Sequence, residues 1–309
     1  MSDKLKCKIL LCGGLGNQLF QYAFGRALAL RSEAILELDA VTLFEKDVTY
    51  RRSYALSDFQ IPDAVRILRK SQPLTYFLDR VTESVDHQKP LARRSFVREN
   101  STRRFYPEYI SWVARRPVRL YGYWQCPQYF QEIEFQLRQD LQFRTPLCPN
   151  RLSLAHAIAS ENSVAVHVRR AQYERTLGIG YYHQAMKRIR SSVCNAKFYV
   201  FSDSPEWWTK HGDNGNDVTL VRGEKYPEIE DFKLMTHCKH FIIANSSFSW
   251  WAAWLSGSAK KQVFAPSSDI WDNPDILCKS WTPILVDRSG DPVLAGCVNG
   301  YESNYSPIQ

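Results

Sequence analysis

A mostly apolar run at residues 7–12 is cut by Gly13 and Gly14, and residues 17–31 then carry Leu19, Phe20, Ala23, Phe24, Ala27, Leu28 and Leu30 at helical spacing. This order predicts a buried strand, a turn and a helix. Residues 34–38 predict a second strand, and a βαβ opening favours a parallel sheet with helices packed on it. Residues 45–116 show weak periodicity, with Arg51-Arg52, Arg93-Arg94, Arg103-Arg104 and Arg115-Arg116 set among aromatics, and read as mostly helix and loop. A strand is expected at 118–123 and an amphipathic helix at 127–141.

Strand-like runs recur at residues 163–168, 197–201, 218–221, 240–244 and 262–265, with helical stretches between them, so the second half also reads as α/β. Between the halves, residues 142–150 contain Pro146 and Pro149, which interrupt regular structure and mark a linker. The expected architecture is two α/β domains, residues 1–145 and 146–309, with a tail of unassigned course after about residue 285. No solenoid period is visible.

The chain's 309 residues suit about two domains at roughly 150 residues each. Hydrophobic residues at 44% and charged residues at 23% exclude a disordered or low-complexity chain. The net charge of +8 suits an anionic partner such as nucleic acid, an anionic lipid surface or a phosphorylated small molecule. The eight cysteines contain no Cys-x-x-Cys pair and read as scattered reduced thiols. The apolar run near the start is too short for a signal sequence or a membrane span. A cytoplasmic protein is expected, with peripheral electrostatic contact at the inner leaflet as an accessory possibility.

In open parallel sheets ligands collect beyond the carboxyl ends of strands. Four segments stand at such places. The first, Gly13-Gly14-Leu15-Gly16-Asn17-Gln18, follows the first strand and opens a helix. Its glycines permit close approach, and the helix start offers N–H groups to an anion or a sugar hydroxyl. Gly14-Leu15-Gly16 begins a dinucleotide fingerprint, but Leu19 stands where the third glycine belongs, and a plain tight turn is the simpler account. The second segment, His167-Val168-Arg169-Arg170, ends a strand, so alternation sends His167 and Arg169 to one side and Arg170 to the other. A guanidinium there can grip a diphosphate with two parallel bonds and stabilise charge on a leaving phosphate oxygen. For an isolated pair, solvated arginines are the plainer reading.

The third segment is Phe201-Ser202-Asp203, and the fourth runs from Asp231 through Asn245-Ser246-Ser247-Phe248-Ser249-Trp250-Trp251 to Trp254. Asn and Ser cap helices, and N–H groups at the start of the next helix would face an anion, although capping alone accounts for Asn245 and Ser246. Trp250, Trp251 and Trp254 read as helix-packing core. No Asp-x-Asp is present to hold a metal, and His237 with His240 lacks a nearby acidic partner and reads as structural.

Taken in order, these blocks and Tyr121-Gly122-Tyr123-Trp124-Gln125 resemble the glycosyltransferase family that contains the bacterial and animal α-1,2-fucosyltransferases. The similarity covers nearly the whole chain. It implies a GT-B-like fold, two Rossmann-type α/β domains facing a central cleft, with an acceptor-side domain first and a donor-nucleotide domain second. It further implies GDP-fucose as donor, no required metal or other cofactor, and inversion at the fucose anomeric carbon. The implied acceptor is a galactose-terminated oligosaccharide or lipid-linked glycan, taken most simply in α-1,2 linkage during surface polysaccharide synthesis.

By the same resemblance Arg169 meets the donor β-phosphate, supported by Arg170, with His167 near the nucleoside. Asp203 and Asp231 match acidic positions near the guanine. Ser246, Ser247 and Phe248 form the helix start at the diphosphate, and Gly14, Gly16, Asn17 and Gln18 reach the cleft from the acceptor domain. Glu174, which follows the arginines, is the candidate general base. The chain departs from the family pattern where Gly-Asp-Tyr would follow the arginines and Ala171-Gln172-Tyr173 stands instead, replacing a carboxylate by an amide. Donor affinity or acceptor choice is therefore expected to differ from that of typical members.

Two readings from other classes compete. An NAD-dependent oxidoreductase would use Gly14-Leu15-Gly16 with Asp39 on the ribose, but leaves His167 to Arg170 unexplained. A basic nucleic-acid-binding protein would use the arginine pairs between 51 and 116, which are dispersed and carry no recognised motif; no nucleic-acid partner is expected.

Overall fold

The computed structural model describes residues 4–71, 73–86, 88–100, 103–171, 175–222, 225–271, 273–287 and 289–293. In the N-terminal half, β1 (Lys6–Leu10), β2 (Ile35–Asp39), β3 (Arg66–Leu68), β4 (Phe96–Arg98) and β5 (Val118–Tyr121) form a sheet of order β3-β2-β1-β5-β4. In the C-terminal half, β6 (Asn162–Val168), β7 (Ala196–Ser202), β8 (Val218–Val221), β9 (His240–Ile242), β10 (Val263–Pro266) and β11 (Thr282–Ile284) form a second sheet of order β11-β10-β9-β6-β7-β8. Every pairing in both sheets is parallel. The helices are α1 (Leu15–Arg31), α2 (Pro73–Asp86), α3 (Glu108–Ser111), α4 (Glu134–Asp140), α5 (Leu152–Ser160), α6 (Ile179–Ser192), α7 (Pro205–His211), α8 (Glu228–His237) and α9 (Ser247–Leu255). Two Rossmann-like halves result, as the βαβ opening and the recurring strands predict.

Strand order fixes where a ligand can sit. β1 lies between β2 and β5, and β6 lies between β7 and β9, so each sheet reverses its winding at its first strand. The crevice beyond the carboxyl end of such a strand is left open by the diverging connections. Gly13 to Asn17 follow β1, and Arg169 follows β6.

The halves share their packing. Helix α1 buries 13 of its 17 residues, which explains why its apolar positions run round the helix and do not form one stripe. One flank covers its own sheet. The other meets α9, where the Phe20 ring lies 4.6 Å from Trp250 and 5.1 Å from Trp251, and Phe130 stacks on Trp251 at 5.5 Å. Trp250 and Trp251 are fully buried, as expected of helix-packing core. Such ring pairs each add roughly 0.5–1.5 kcal/mol beyond area burial, so the seam is a substantial part of the core.

Several elements differ from the sequence expectation. Within residues 45–116 the structure contains β3 and β4, three-residue edge strands too short to display alternation. The helix expected at 127–141 is two 3-10 turns, Pro127–Tyr129 and Gln131–Ile133, followed by α4; buried Phe130, at φ −133°, breaks the first turn. The proline-containing segment between the halves is packed on both sides. The Arg144 N–H donates to Asp58 O, the Cys148 N–H to Glu230 Oε2, and Lys233 Nζ to Pro146 O. The seven described cysteines are unpaired. No helix among the described residues is long and apolar enough to cross a membrane.

Candidate active site

A cleft of about 520 Å³ opens between the halves at the two switch points. The N-terminal half contributes Gly13 to Asn17, Tyr50, Arg52 and Tyr123; the C-terminal half contributes His167, Arg169, Asp203, Tyr226, Glu228, Asp231 and Ser246 to Phe248 among others.

Its floor is made of two helix starts. Gly13 takes φ +76°, which lets the chain turn sharply from β1 into α1. Gly16 then lies so close to α9 that an added Cβ would stand 2.3 Å from the Ser247 carbonyl carbon. Neither helix start carries a side-chain cap. Their first N–H groups therefore add partial positive charge to the floor, where an anion would be stabilised. Asn17 Oδ1 accepts from the Ser247 hydroxyl and from Gln125 Nε2, each at 2.9 Å, so this amide pins α1 to α9 across the seam.

Arg169 stands just beyond β6, beside the floor. Its Nη1 lies 3.1 Å from Asp203 Oδ2, while the Asp203 oxygens also accept the N–H groups of Arg170 and Ala171. Asp203 thus braces the turn that carries Arg169 while lining the cleft. Arg170, expected at the diphosphate, is corrected. Alternation turns it away from the cleft, where Nη1 donates to Leu177 O and the guanidinium lies 4.1 Å from the Trp207 ring centroid. Gln18 is a second correction: fully buried, it clamps the backbone at Ser53 and Ala55 and does not line the cleft. Glu174 and Gln172 lie outside the described residues. Gly14, Gly16, Asn17, His167, Arg169, Asp203, Asp231, Ser246, Ser247 and Phe248 all meet at the cleft.

His167 is buried with its ring 5.7 Å from Phe248, and its Nδ1 has no hydrogen-bond partner within the protein. Burial first, and the nearby Arg169 charge second, push its protonation down from 6.5 to about 3. It is neutral throughout the physiological range. The unfolded chain takes up a proton near pH 6.5 and the folded one only near pH 3, so this residue's share of stability is present above pH 6.5 and declines as pH falls toward 3. The slope it contributes is at most about 1.4 kcal/mol per pH unit. Urea melts of His167→Gln between pH 7 and 4 should therefore show a shallower acid loss than wild type; parallel curves would remove this burial effect.

Sequence reasoning missed the cleft's N-terminal rim and, beside the expected Asp231, Tyr226 and Glu228. Asp47 accepts the N–H groups of Tyr50 and Arg52, which holds its carboxyl below the usual range and fixes a turn that presents both side chains to the cleft. The Arg51-Arg52 pair was visible as charge, but no local pattern tied it to β1. Glu99 accepts the N–H groups of Tyr123 and Trp124 and so sets the Tyr123 loop. Tyr226, Glu228 and Asp231 add an aromatic ring and two carboxylates to the lining, on the side where Phe232 packs on Phe248 at the start of α9. The cleft therefore offers both a guanidinium with two helix starts, suited to phosphate, and carboxylates suited to hydrogen-bond donors.

Among the described residues no group of three or more His, Cys, Asp or Glu side chains is arranged to hold a metal ion. His237 Nδ1 contacts Lys233 O and His240 Nδ1 accepts from the Gln262 N–H, structural roles for both.

Known proteins share this fold and parts of this sequence. The fold is that of the fucosyltransferase NodZ from Bradyrhizobium, with a TM-score of 0.52 at 14% identity over 82% of this chain and 93% of that one. Two parallel Rossmann-like sheets around a cleft make it a GT-B fold. An α-1,2-colitosyltransferase of Escherichia coli is 30% identical over 83% of this chain and 90% of its own length. The O-antigen biosynthesis glycosyltransferase WbnK of Escherichia coli is 27% identical over 83% and 92%. A galactoside α-(1,2)-fucosyltransferase of Sus scrofa is 33% identical over 50% and 45%. The model of glycosyl transferase family 11 matches residues 97–283, which include β6, Arg169 and α9, and the chain belongs to that family.

Proposed function

We propose that this glycosyltransferase moves L-fucose from GDP-fucose to the 2-hydroxyl of a galactose-terminated glycan, with inversion, in the synthesis of a surface polysaccharide. The observation that carries the reading is that Arg169, two uncapped helix starts and the Asp231 carboxylate line one cleft. A nucleoside diphosphate has matching ends. The names of the relatives supply the sugar, the linkage and the surface polysaccharide, and NodZ was co-crystallized with GDP.

In this reading the acceptor oxygen attacks the sugar C1 as the C1–O bond to the β-phosphate breaks, and GDP departs with the bonding pair. Charge grows on the departing oxygen. Arg169 and the N–H groups at the start of α9 stabilise that charge more in the transition state than in the ground state, which is what accelerates the step. The hydroxyl proton passes to a base, for which Glu174 is the sequence-based candidate. Protein groups neutralise the diphosphate in place of a metal. Accordingly, excess EDTA should leave turnover within about twofold of the untreated rate; activity abolished by EDTA and restored by Mn²⁺ would contradict this. The surplus of eight positive charges supports peripheral contact with an anionic membrane face in the cytoplasm, to be read by sedimentation with anionic vesicles.

A second reading, transfer of colitose, is favoured by the name of the 30% identical relative. Turnover of GDP-fucose and GDP-colitose against a panel of galactosides, with the product linkage read by NMR, separates the two. Turnover of neither overturns the proposal.

A further inference from the structure

Arg151 does not line the cleft, yet it holds two residues that do. It lies in the packed segment between the halves, in the 3-10 turn Pro149–Arg151 before α5, and only 3% of its side chain is exposed. Its Nη1 stands 2.7 Å from Asp231 Oδ1, and its guanidinium carbon stands 4.6 Å from the centre of the Tyr226 ring. Asp231 and Tyr226 are both cleft residues. Pairing a carboxylate while lying on an aromatic face is a task for a planar guanidinium; an ammonium cannot do both in one geometry.

We propose that Arg151 determines the base preference of the cleft by fixing Asp231 and Tyr226 as a single recognition wall. The inference rests on the nucleotide-donor reading above and deepens it. A carboxylate locked in one orientation discriminates bases by their edge. A purine with a ring N–H beside an exocyclic NH₂ presents two adjacent donors to it, as guanine does. Hypoxanthine keeps the ring N–H but loses the amine. Adenine turns a ring-nitrogen acceptor toward the carboxylate, and two acceptors repel. Loss of Arg151 removes the ion pair that sets this orientation, and the reading of the edge weakens with it. Arg151 is therefore a positioning residue: it acts through Asp231 and Tyr226 and touches no substrate itself.

Calorimetric titration of the full chain with GDP, IDP and ADP tests this. IDP differs from GDP only in lacking the exocyclic amine, so wild type should bind GDP more tightly by about tenfold, the value of one hydrogen bond to a charged group, and ADP more weakly still. In Arg151→Met and Arg151→Lys the ratio of GDP to IDP affinity should collapse to within about threefold, as it should in Asp231→Asn. Arg151→Lys keeps the buried charge and carries the test if the Met variant fails to fold. A merely structural role would lower affinity for all three nucleotides alike and leave their ratio in place. Retention of the wild-type ratio by a folded Arg151 variant overturns the inference while the donor reading stands. Absence of GDP binding by wild type overturns the donor reading, and the inference with it.

Discussion

Arg169→Ala should lower kcat by about 10²–10³-fold while the acceptor KM stays within about threefold, because a donor aimed at developing charge is worth roughly 2.7–4 kcal/mol in the transition state. The side chain stands at the carboxyl end of β6, at the sheet's switch point, with the start of α9 lining the same cleft. Removal also breaks the ion pair to Asp203, which anchors the turn through the N–H groups of Arg170 and Ala171. Arg169→Lys separates the two effects. It retains a positive charge that can reach Asp203 but loses the fork that grips two phosphate oxygens, so it should recover stability and only part of kcat. Steady-state kinetics with thermal melts decide the matter, and near wild-type turnover in a folded Arg169→Ala protein would remove this residue from catalysis.

Gly16→Ala should be the most damaging single-methyl change in the cleft. The new Cβ would stand 2.3 Å from the Ser247 carbonyl carbon and 2.5 Å from the Phe248 nitrogen, both backbone atoms of α9. That backbone has little room to retreat. Trp250 and Trp251 pack on Phe20, and Arg138 donates to Trp254 O and Leu255 O at the far end of the helix. Overpacking of this kind costs about 1–3 kcal/mol, more where backbone is the obstacle, and each kcal/mol lowers Tm by about 2–4 °C in a domain of 150–250 residues. A fall in Tm of about 5 °C or more is expected, with turnover lost as the paired helix starts separate. Gly14→Ala is the internal control: its added Cβ would meet only the Arg52 side chain, at 3.8 Å, and should leave Tm nearly unchanged. Equal melting of the two variants would refute the claim that close approach of α1 and α9 builds the floor.

How much of this was legible in the sequence follows from what each signal is made of. Strands such as β6, where six of seven residues are buried, show as buried runs bounded by breakers, whereas β11, with two of its three residues exposed, gives no such run and was not expected. The three-residue strands β3 and β4 carry no period and are defined only by pairing with β2 and β5. Site residues adjacent to strand ends, such as Asn17, His167, Arg169 and Ser247, could be found because topology places strand ends at ligands. Asp203 and Gln18 were found by the same reasoning, but their acceptor atoms are committed to backbone partners that only the fold brings near. Arg52 and Arg151 reach the cleft or its wall through tertiary contacts that no local spacing encodes.

The most direct test of the central claim is a crystal structure of the full chain with GDP. The diphosphate should lie in the cleft between the halves, with a β-phosphate oxygen about 3 Å from Arg169 Nη and from an N–H at the start of α9. A nucleotide bound elsewhere, with the Arg169 guanidinium still turned to Asp203 and away from every phosphate oxygen, would contradict the account.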